Sequence, residues 1–139
     1  MEISYVHTLS AQDYLNLRKA VGWVLFPERQ AQTGLDHSAY LVAAVCEEKT
    51  VAAARLISDG GYVAYIADVM VLPDYQRNGI GKTMIRMILT HIRQTMEVGD
   101  AVMVCLLAAK GKEPFYRRFD FETHPNDMHG AGMSLWLEK

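Results

Sequence analysis

The chain is poor in the residues that would staple it, load it with metal or carry it into a membrane. Only two cysteines, Cys46 and Cys105, occur in 139 residues. Each lies in an apolar, strand-like run, which reads as a buried reduced thiol rather than half of a disulfide framework. The histidines (His7, His37, His91, His124 and His129) show no metal-ligand spacing with one another or with the cysteines, so no metal is expected. No apolar run approaches the roughly 18–20 residues that span a bilayer. The opening Met1-Glu2-Ile3-Ser4 lacks the basic and apolar regions of a signal peptide. These absences predict no membrane association and a cytoplasmic location. Basic charge is not in excess either: a formal net charge of −2 argues against a nucleic-acid partner, which usually calls for a basic face.

What is present is a globular composition, half apolar with 22% charged residues. The length predicts a single domain over 1–139. Glu2–His7 alternates as a first strand. Ser10-Ala11-Gln12-Asp13 resembles a capping box with Asp in place of Glu, and opens a helix through Val21 that ends near Gly22. Pro27-Glu28-Arg29 opens a second helix with Gly34 as its stop. Ala39–Glu47, Thr50–Ser58 and Tyr62–Leu72 read as an antiparallel meander, turned by Glu48-Lys49 and by Asp59-Gly60-Gly61. Met84, Ile85, Ile88, Leu89, Ile92 and Met96 mark one face of a helix over 80–97. Ala101–Ala108 is continuously apolar, the pattern of a strand buried on both faces in parallel pairing, so 62–108 reads as a right-handed βαβ unit. A short helix over 110–119 and a terminal strand alternating Met133, Leu135 and Leu137 complete the chain.

The chemistry-bearing stretch joins that third meander strand to the long helix: Gln76-Arg77-Asn78-Gly79-Ile80-Gly81-Lys82. A strand, a Gly-containing turn and a helix N-terminus form an anion site, because the first helical turn offers unpaired N–H groups and the positive end of the macrodipole. A dinucleotide fingerprint G-x-G-x-x-G would need Gly where Met84 stands. A P-loop would need its first Gly where Gln76 stands, although Gly81-Lys82-Thr83 supplies its end.

Gln76 to Gly81 instead matches, residue for residue, the Gln/Arg-x-x-Gly-x-Gly/Ala signature of the GNAT superfamily of N-acetyltransferases, which the chain resembles. Pro114-Phe115-Tyr116-Arg117-Arg118-Phe119-Asp120-Phe121 is similar to that family's Phe-Tyr-x-x-x-Gly-Phe box. Asp120 stands where the family often has Gly, and Ala109 where many members carry a CoA-contacting Asn. The resemblance covers nearly the whole chain. It implies an α/β (mixed α+β) fold with a central twisted mixed sheet flanked by helices, and acetyl-CoA as cosubstrate. It further implies transfer of acetyl to a primary amine of a small molecule or peptide by direct attack in a ternary complex, and a possible homodimer. A non-catalytic acyl-CoA-binding or sensor domain of the same fold is the alternative.

By the same resemblance, Gln76, Arg77, Asn78, Gly79, Ile80, Gly81 and Lys82 hold the pyrophosphate. Main-chain groups of Val69, Met70 and Val71 pair with the pantetheine arm and the acetyl carbonyl, as fixed donors do in an oxyanion hole. Tyr116 is the expected acid for the leaving thiolate, since a phenol titrating near ~10 is protonated at neutral pH. An alkyl amine titrating near ~10.4 must lose a proton before it can attack. Asp68, the one charged residue inside the apolar strand 62–72, is the first candidate base, or else an ordinary carboxylate capped by nearby N–H groups. Glu28, His37, His124 and His129 are weaker candidates. Trp23, Phe26 and Tyr40 either line an acceptor pocket or fill the core, with core favoured for at least two of them.

Overall fold

Ser10 starts the first helix as its residue type requires. Its backbone is extended, and its hydroxyl accepts a hydrogen bond from the Asp13 N–H at 3.0 Å. Asp13 does not complete the capping box; its carboxylate instead accepts from the Thr50 hydroxyl at 3.1 Å. In the computed structural model, which describes all of residues 1–139, helix α1 runs Ala11–Ala20, with Gly22 beyond it at φ +80°. Helix α2 runs Glu28–Asp36 and passes through Gly34 rather than stopping there. The Gly34 carbonyl accepts from the Arg55 guanidinium at 3.1 Å, and a Cβ on Gly34 would lie 3.6 Å from that guanidinium.

The strands are β1 Ser4–Val6, β2 Tyr40–Cys46, β3 Lys49–Ser58, β4 Val63–Val71 and β5 Met103–Cys105, in that spatial order. The first four pair antiparallel. Helix α3, Ile80–Thr95, carries the chain from β4 to β5. The mixed five-stranded sheet flanked by helices is the fold class that the motif order implies. The chain comprises two compact units, Met1–Val104 and Cys105–Lys139.

In the first unit, Ala43, Ala53 and Met70 are cross-strand neighbours and so share one face of the sheet. Ala11, Tyr14 and Leu17 of α1 and Ala31 and Leu35 of α2 pack on that face. Helix α3 contacts β2, β3 and β4, and buries Ile80, Met84, Ile85, Ile88 and Ile92 along the stripe read from the sequence. Alanine dominates the middle of β2 and β3, so the helices can approach the sheet closely. Trp23, Phe26 and Tyr40 are each only half-buried, and of the three Trp23 packs against the core cluster. Tyr40 stacks on His91 with ring centroids 4.1 Å apart.

Two expectations fail toward the C-terminus. The apolar run 101–108 forms only three residues of strand, and it stands last in the sheet order, with Met103 43% and Leu107 59% exposed. A run that reads as doubly covered is therefore an edge. In the second unit, helix α4 is Glu113–Arg117, shorter than expected, and Asp120 takes the left-handed conformation at φ +71° that its turn requires. The alternating segment Met133–Leu137 makes no strand ladder. Alternation specifies which face a strand would bury, but a ladder needs an adjacent edge to bond.

Because Ile88 is fully buried between α3 and the sheet, Ile88→Ala should cost about 2–5 kcal/mol of stability. Urea denaturation followed by circular dichroism measures this as a fall in midpoint at unchanged slope.

Candidate active site

The site begins with an irregularity in β4. Ala53 pairs with Met70 and Arg55 with Ala67, so two steps along β3 meet three along β4. The extra residue is a β-bulge, which bends the strand and takes its backbone groups out of the ladder. Asp68 sits in it at φ +57°, a conformation unusual for a side chain other than Gly, Asn or Asp. Val69, Met70 and Val71 follow. The Met70 side chain is 1% exposed and turned into the core, so only its main chain is available to a ligand.

Beyond β4, Pro73–Tyr75 makes one 3-10 turn and the chain enters the glycine loop. Arg77 and Gly79 both adopt positive φ, +63° and +77°. The Gln76 side-chain amide donates back to the Val71 carbonyl at 3.0 Å, and that of Asn78 donates to the Tyr75 and Gln76 carbonyls at 3.1 Å. These bonds pin the turn, leaving main-chain donors for something else. Helix α3 begins at Ile80, and Thr83 N–H donates to the Gly79 carbonyl at 3.0 Å. The N–H groups of Ile80, Gly81 and Lys82 thus precede any intrahelical acceptor. No atom lies within 4 Å of where a Gly79 Cβ would stand, so the backbone can be approached closely. Arg77 and Lys82 are exposed beside it. Main-chain donors, open space and two cations fit a pyrophosphate.

The carboxylate of Asp68 is held by three donors. Arg55 Nε donates to Oδ2 at 2.6 Å, Tyr14 Oη to the same oxygen at 2.9 Å, and Arg18 Nη1 to Oδ1 at 2.9 Å. All three charged side chains are at most 16% exposed. Arg18 also donates from Nε to the Val24 carbonyl at 2.6 Å, and its guanidinium lies 4.5 Å from the ring centre of Phe26 and 5.5 Å from that of Trp23. Arg55 reaches the Gly34 carbonyl and the Ser38 hydroxyl. One carboxylate therefore joins α1, α2, β3 and β4. Burial, together with the Asp68 charge and the hydrogen bond to it, raises the Tyr14 pKa above its ordinary value.

Asp68, Val69, Met70, Val71 and Gln76 to Lys82 thus lie on one continuous strand, loop and helix start in the first unit. Tyr116 belongs to the second unit, where it is buried with its ring edge-on to Phe115 at 5.0 Å and to Phe121 at 6.0 Å. Arg18, Arg55 and Tyr14 are the site residues that sequence reading missed. Arg18 falls on the apolar stripe of α1, and Arg55 interrupts the run Val51 to Ile57. A charge inside an apolar strand was read as a signal at Asp68; at Arg55 it was the same signal.

Comparison with known proteins gives this geometry a family. Residues 19–136 match the acetyltransferase (GNAT) domain model. A probable acetyltransferase from meticillin-resistant Staphylococcus aureus has the same fold at TM-score 0.88 and 25% identity, over 98% of this chain and 100% of that one. A GNAT family acetyltransferase from Streptococcus pneumoniae superposes at TM-score 0.76 with 28% identity, over 99% of this chain and 98% of its own. The uncharacterized N-acetyltransferase ycf52 of Porphyra purpurea is 27% identical over 132 residues, 92% of this chain and 74% of that protein. The chain belongs to the GNAT acetyltransferases, enzymes that draw their acetyl group from acetyl-CoA.

Removing the carboxylate with Asp68→Ala leaves two guanidinium groups uncompensated and should cost about 3–5 kcal/mol. Asp68→Asn keeps one acceptor oxygen and the tolerance for positive φ, and should lose less; urea denaturation of both variants checks the order. The raised Tyr14 pKa predicts a pH effect of defined sign. Below about 10 both folded and unfolded chains hold the phenolic proton, and above it only the folded chain does. Stability should therefore fall as pH rises past that point, and Tyr14→Phe should flatten the fall in thermal midpoint measured between neutral and alkaline pH.

Proposed function

We propose that this acetyltransferase moves acetyl from acetyl-CoA to a primary amine by direct attack within a ternary complex. The observation that carries the reading is the continuous stretch from the bulge at Asp68 to the left-handed turn at Gly79, which joins an irregular strand to an open glycine loop and a helix start. Family membership supports the donor; the acceptor class and the direct route are our reading of the residues.

The loop from Gln76 to Lys82 holds the pyrophosphate through main-chain N–H groups, with Arg77 and Lys82 adding charge. Main-chain groups at Val69 to Val71 on the side of β4 away from β3 bind the pantetheine arm and polarise the acetyl carbonyl. The amine first gives up its ammonium proton to solvent; its nitrogen then bonds to the carbonyl carbon as the carbon–sulfur bond breaks, Tyr116 donates its phenolic proton to the departing thiolate, and the surplus proton on the new amide nitrogen passes through water to restore the phenol. No nucleophile motif argues for an acyl-enzyme: Cys46 is buried, and Cys105, which reads as buried in the sequence, is half-buried at the end of β5.

Asp68 takes a different part from that of a base. Both oxygens of its carboxylate already accept from cations or a phenol, so receiving the amine proton would cancel the charge that pairs with Arg18 and Arg55. We assign it to fixing the bulge, as a positioning residue for the donors that follow it. The acceptor region on our reading includes the segment Trp23 to Tyr40, which folds around Arg18 and Arg55 and so adjoins the same cluster.

Thiol release from acetyl-CoA across a panel of small amines and peptide N-termini tests the activity. Turnover with at least one amine is expected, and acetyl-CoA binding by calorimetry without turnover on any acceptor would overturn the reading in favour of a sensor. A side chain at position 79 would have to take positive φ and would stand over the loop. Gly79→Val should accordingly raise the acetyl-CoA KM at least tenfold, for a strain of about 1–2 kcal/mol plus lost approach. Tyr116→Phe should lower kcat by about 10²-fold where chemistry limits the rate, with little change in acetyl-CoA KM.

A further inference from the structure

The cluster around Asp68 holds more positive charge than it neutralises. Arg18 and Arg55 share the one carboxylate, and neither forms an ion pair with any other acid. Their remaining bonds go to uncharged acceptors: Arg18 donates to the Val24 carbonyl and, at 3.5 Å, to the Tyr14 hydroxyl, and Arg55 to the Gly34 carbonyl and the Ser38 hydroxyl. Such dipoles solvate a cation without cancelling it, so one positive charge is left over. It is left over where charge is costly, since the Arg18 side chain is 7% exposed and that of Arg55 16%.

Donor capacity is left over as well. Every hydrogen bond from the two guanidinium groups starts at Nε or Nη1. The Nη2 of each, with its two N–H groups, donates to no protein atom. The one fully buried side-chain nitrogen or oxygen without a partner is Glu113 Oε1, so both Nη2 groups open to the surface. Gly34, the one glycine inside α2, keeps side-chain atoms off the nearer of them: a Cβ there would lie 3.6 Å from Arg55 Nη2.

We propose that the amine acceptor of this chain carries an anionic group, a carboxylate or a phosphate, which binds Nη2 of Arg55 while Arg18 supplies the surplus charge behind it. The proposal rests on the reading above, in which the acceptor enters beside this cluster between α1 and α2. A guanidinium edge matches the planar oxygens of a carboxylate and two oxygens of a phosphate. The anion takes no part in the transfer; it holds the molecule whose amine reacts. Specificity follows from what is left unpaired. An amine without the anion leaves the extra cation uncompensated in a largely dry site, which a polar site penalises more than an apolar pocket penalises a missing methylene. A polyamine would add further positive charge to a site that already has it in excess.

Matched acceptors in the thiol-release assay test the proposal. The ω-amino acids from glycine to 6-aminohexanoate are each paired with the alkylamine lacking the carboxylate, and O-phosphoethanolamine with ethanolamine; the two sets separate carboxylate from phosphate. In at least one pair the anionic member should show a KM at least about tenfold lower. An equal or higher KM in every pair, or spermidine as the best acceptor, would overturn the proposal. Arg55→Lys keeps a cation for Asp68 but has no second nitrogen, and should shrink that KM ratio by at least about fivefold; an unchanged ratio in the folded variant would also overturn it. Should the variant unfold, the unaltered chain decides through butyrate and ethyl phosphate, which have the anion and no amine. One of them should inhibit competitively against the amine and not against acetyl-CoA, and competition with acetyl-CoA alone would defeat the proposal. If no amine is acetylated, the transfer reading fails by itself, and calorimetry of the same pairs on CoA-loaded protein judges the anion site. Binding of anionic members only upholds it; binding of neither, or of both alike, defeats it.

Discussion

Two guanidinium groups and a phenol converge on the carboxylate of Asp68, and the working geometry of the first unit depends on that convergence. The residue stands in a backbone conformation that costs an L-amino acid free energy, at a bulge that interrupts an otherwise regular ladder. Nothing in the local sequence Ala67-Asp68-Val69 would hold it there. The restraint comes from far along the chain: Arg18 and Tyr14 from the first helix, and Arg55 from the neighbouring strand. Arg55 also carries the Gly34 carbonyl of the second helix, and Arg18 the Val24 carbonyl between the helices. Both cations and the anion are largely withdrawn from water, so the cluster is stable only when complete. That requirement makes it a lock rather than an ornament.

The division of labour along β4 and the loop follows from which atoms are used. At the loop, side chains such as Gln76 and Asn78 bond to carbonyls of the turn itself, and the donors offered outward belong to the main chain. At the bulge, a side chain fixes the main chain, and the main chain is again what a ligand would meet. Side-chain chemistry serves here to set backbone shape, and backbone shape presents the hydrogen bonds. Tyr116, packed among phenylalanine rings in the second unit, is the exception in our reading, since its own hydroxyl is asked to act.

Much of this was legible in the sequence because it is written locally. Ser10 capped its helix, the stripe Met84 to Ile92 was buried as its spacing required, and Asp120 took the turn that a glycine more often fills. The glycine loop was identified by the exact residues at which rival phosphate motifs fail. The errors lie where a residue's partner is distant. Gly34 reads as a helix stop until the Arg55 guanidinium is seen against it. Phe26 reads as core or pocket lining until its ring is found beside the Arg18 guanidinium. For Asp68, the three donors that lead us to propose a positioning role, Tyr14, Arg18 and Arg55, are likewise distant in sequence. The terminal segment was wrong for a related reason: its alternation is real, but a strand also needs an edge, and that information is not in the segment.

The aromatic rings beside Arg18 carry a consequence for how such a chain can diversify. The segment between α1 and α2 borders the region where an acceptor is expected, and substitutions that reshape recognition would fall there. Its Phe26 and Trp23, however, shelter a guanidinium that also restrains the bulge. On our reading, a change of specificity in this segment is transmitted to the transfer step, whereas the donor loop is constrained separately, by the positive φ of Gly79 and by the Gln76 and Asn78 side chains that pin its turn. Acceptor preference is then coupled to catalytic competence in this chain, and donor binding is set apart from both.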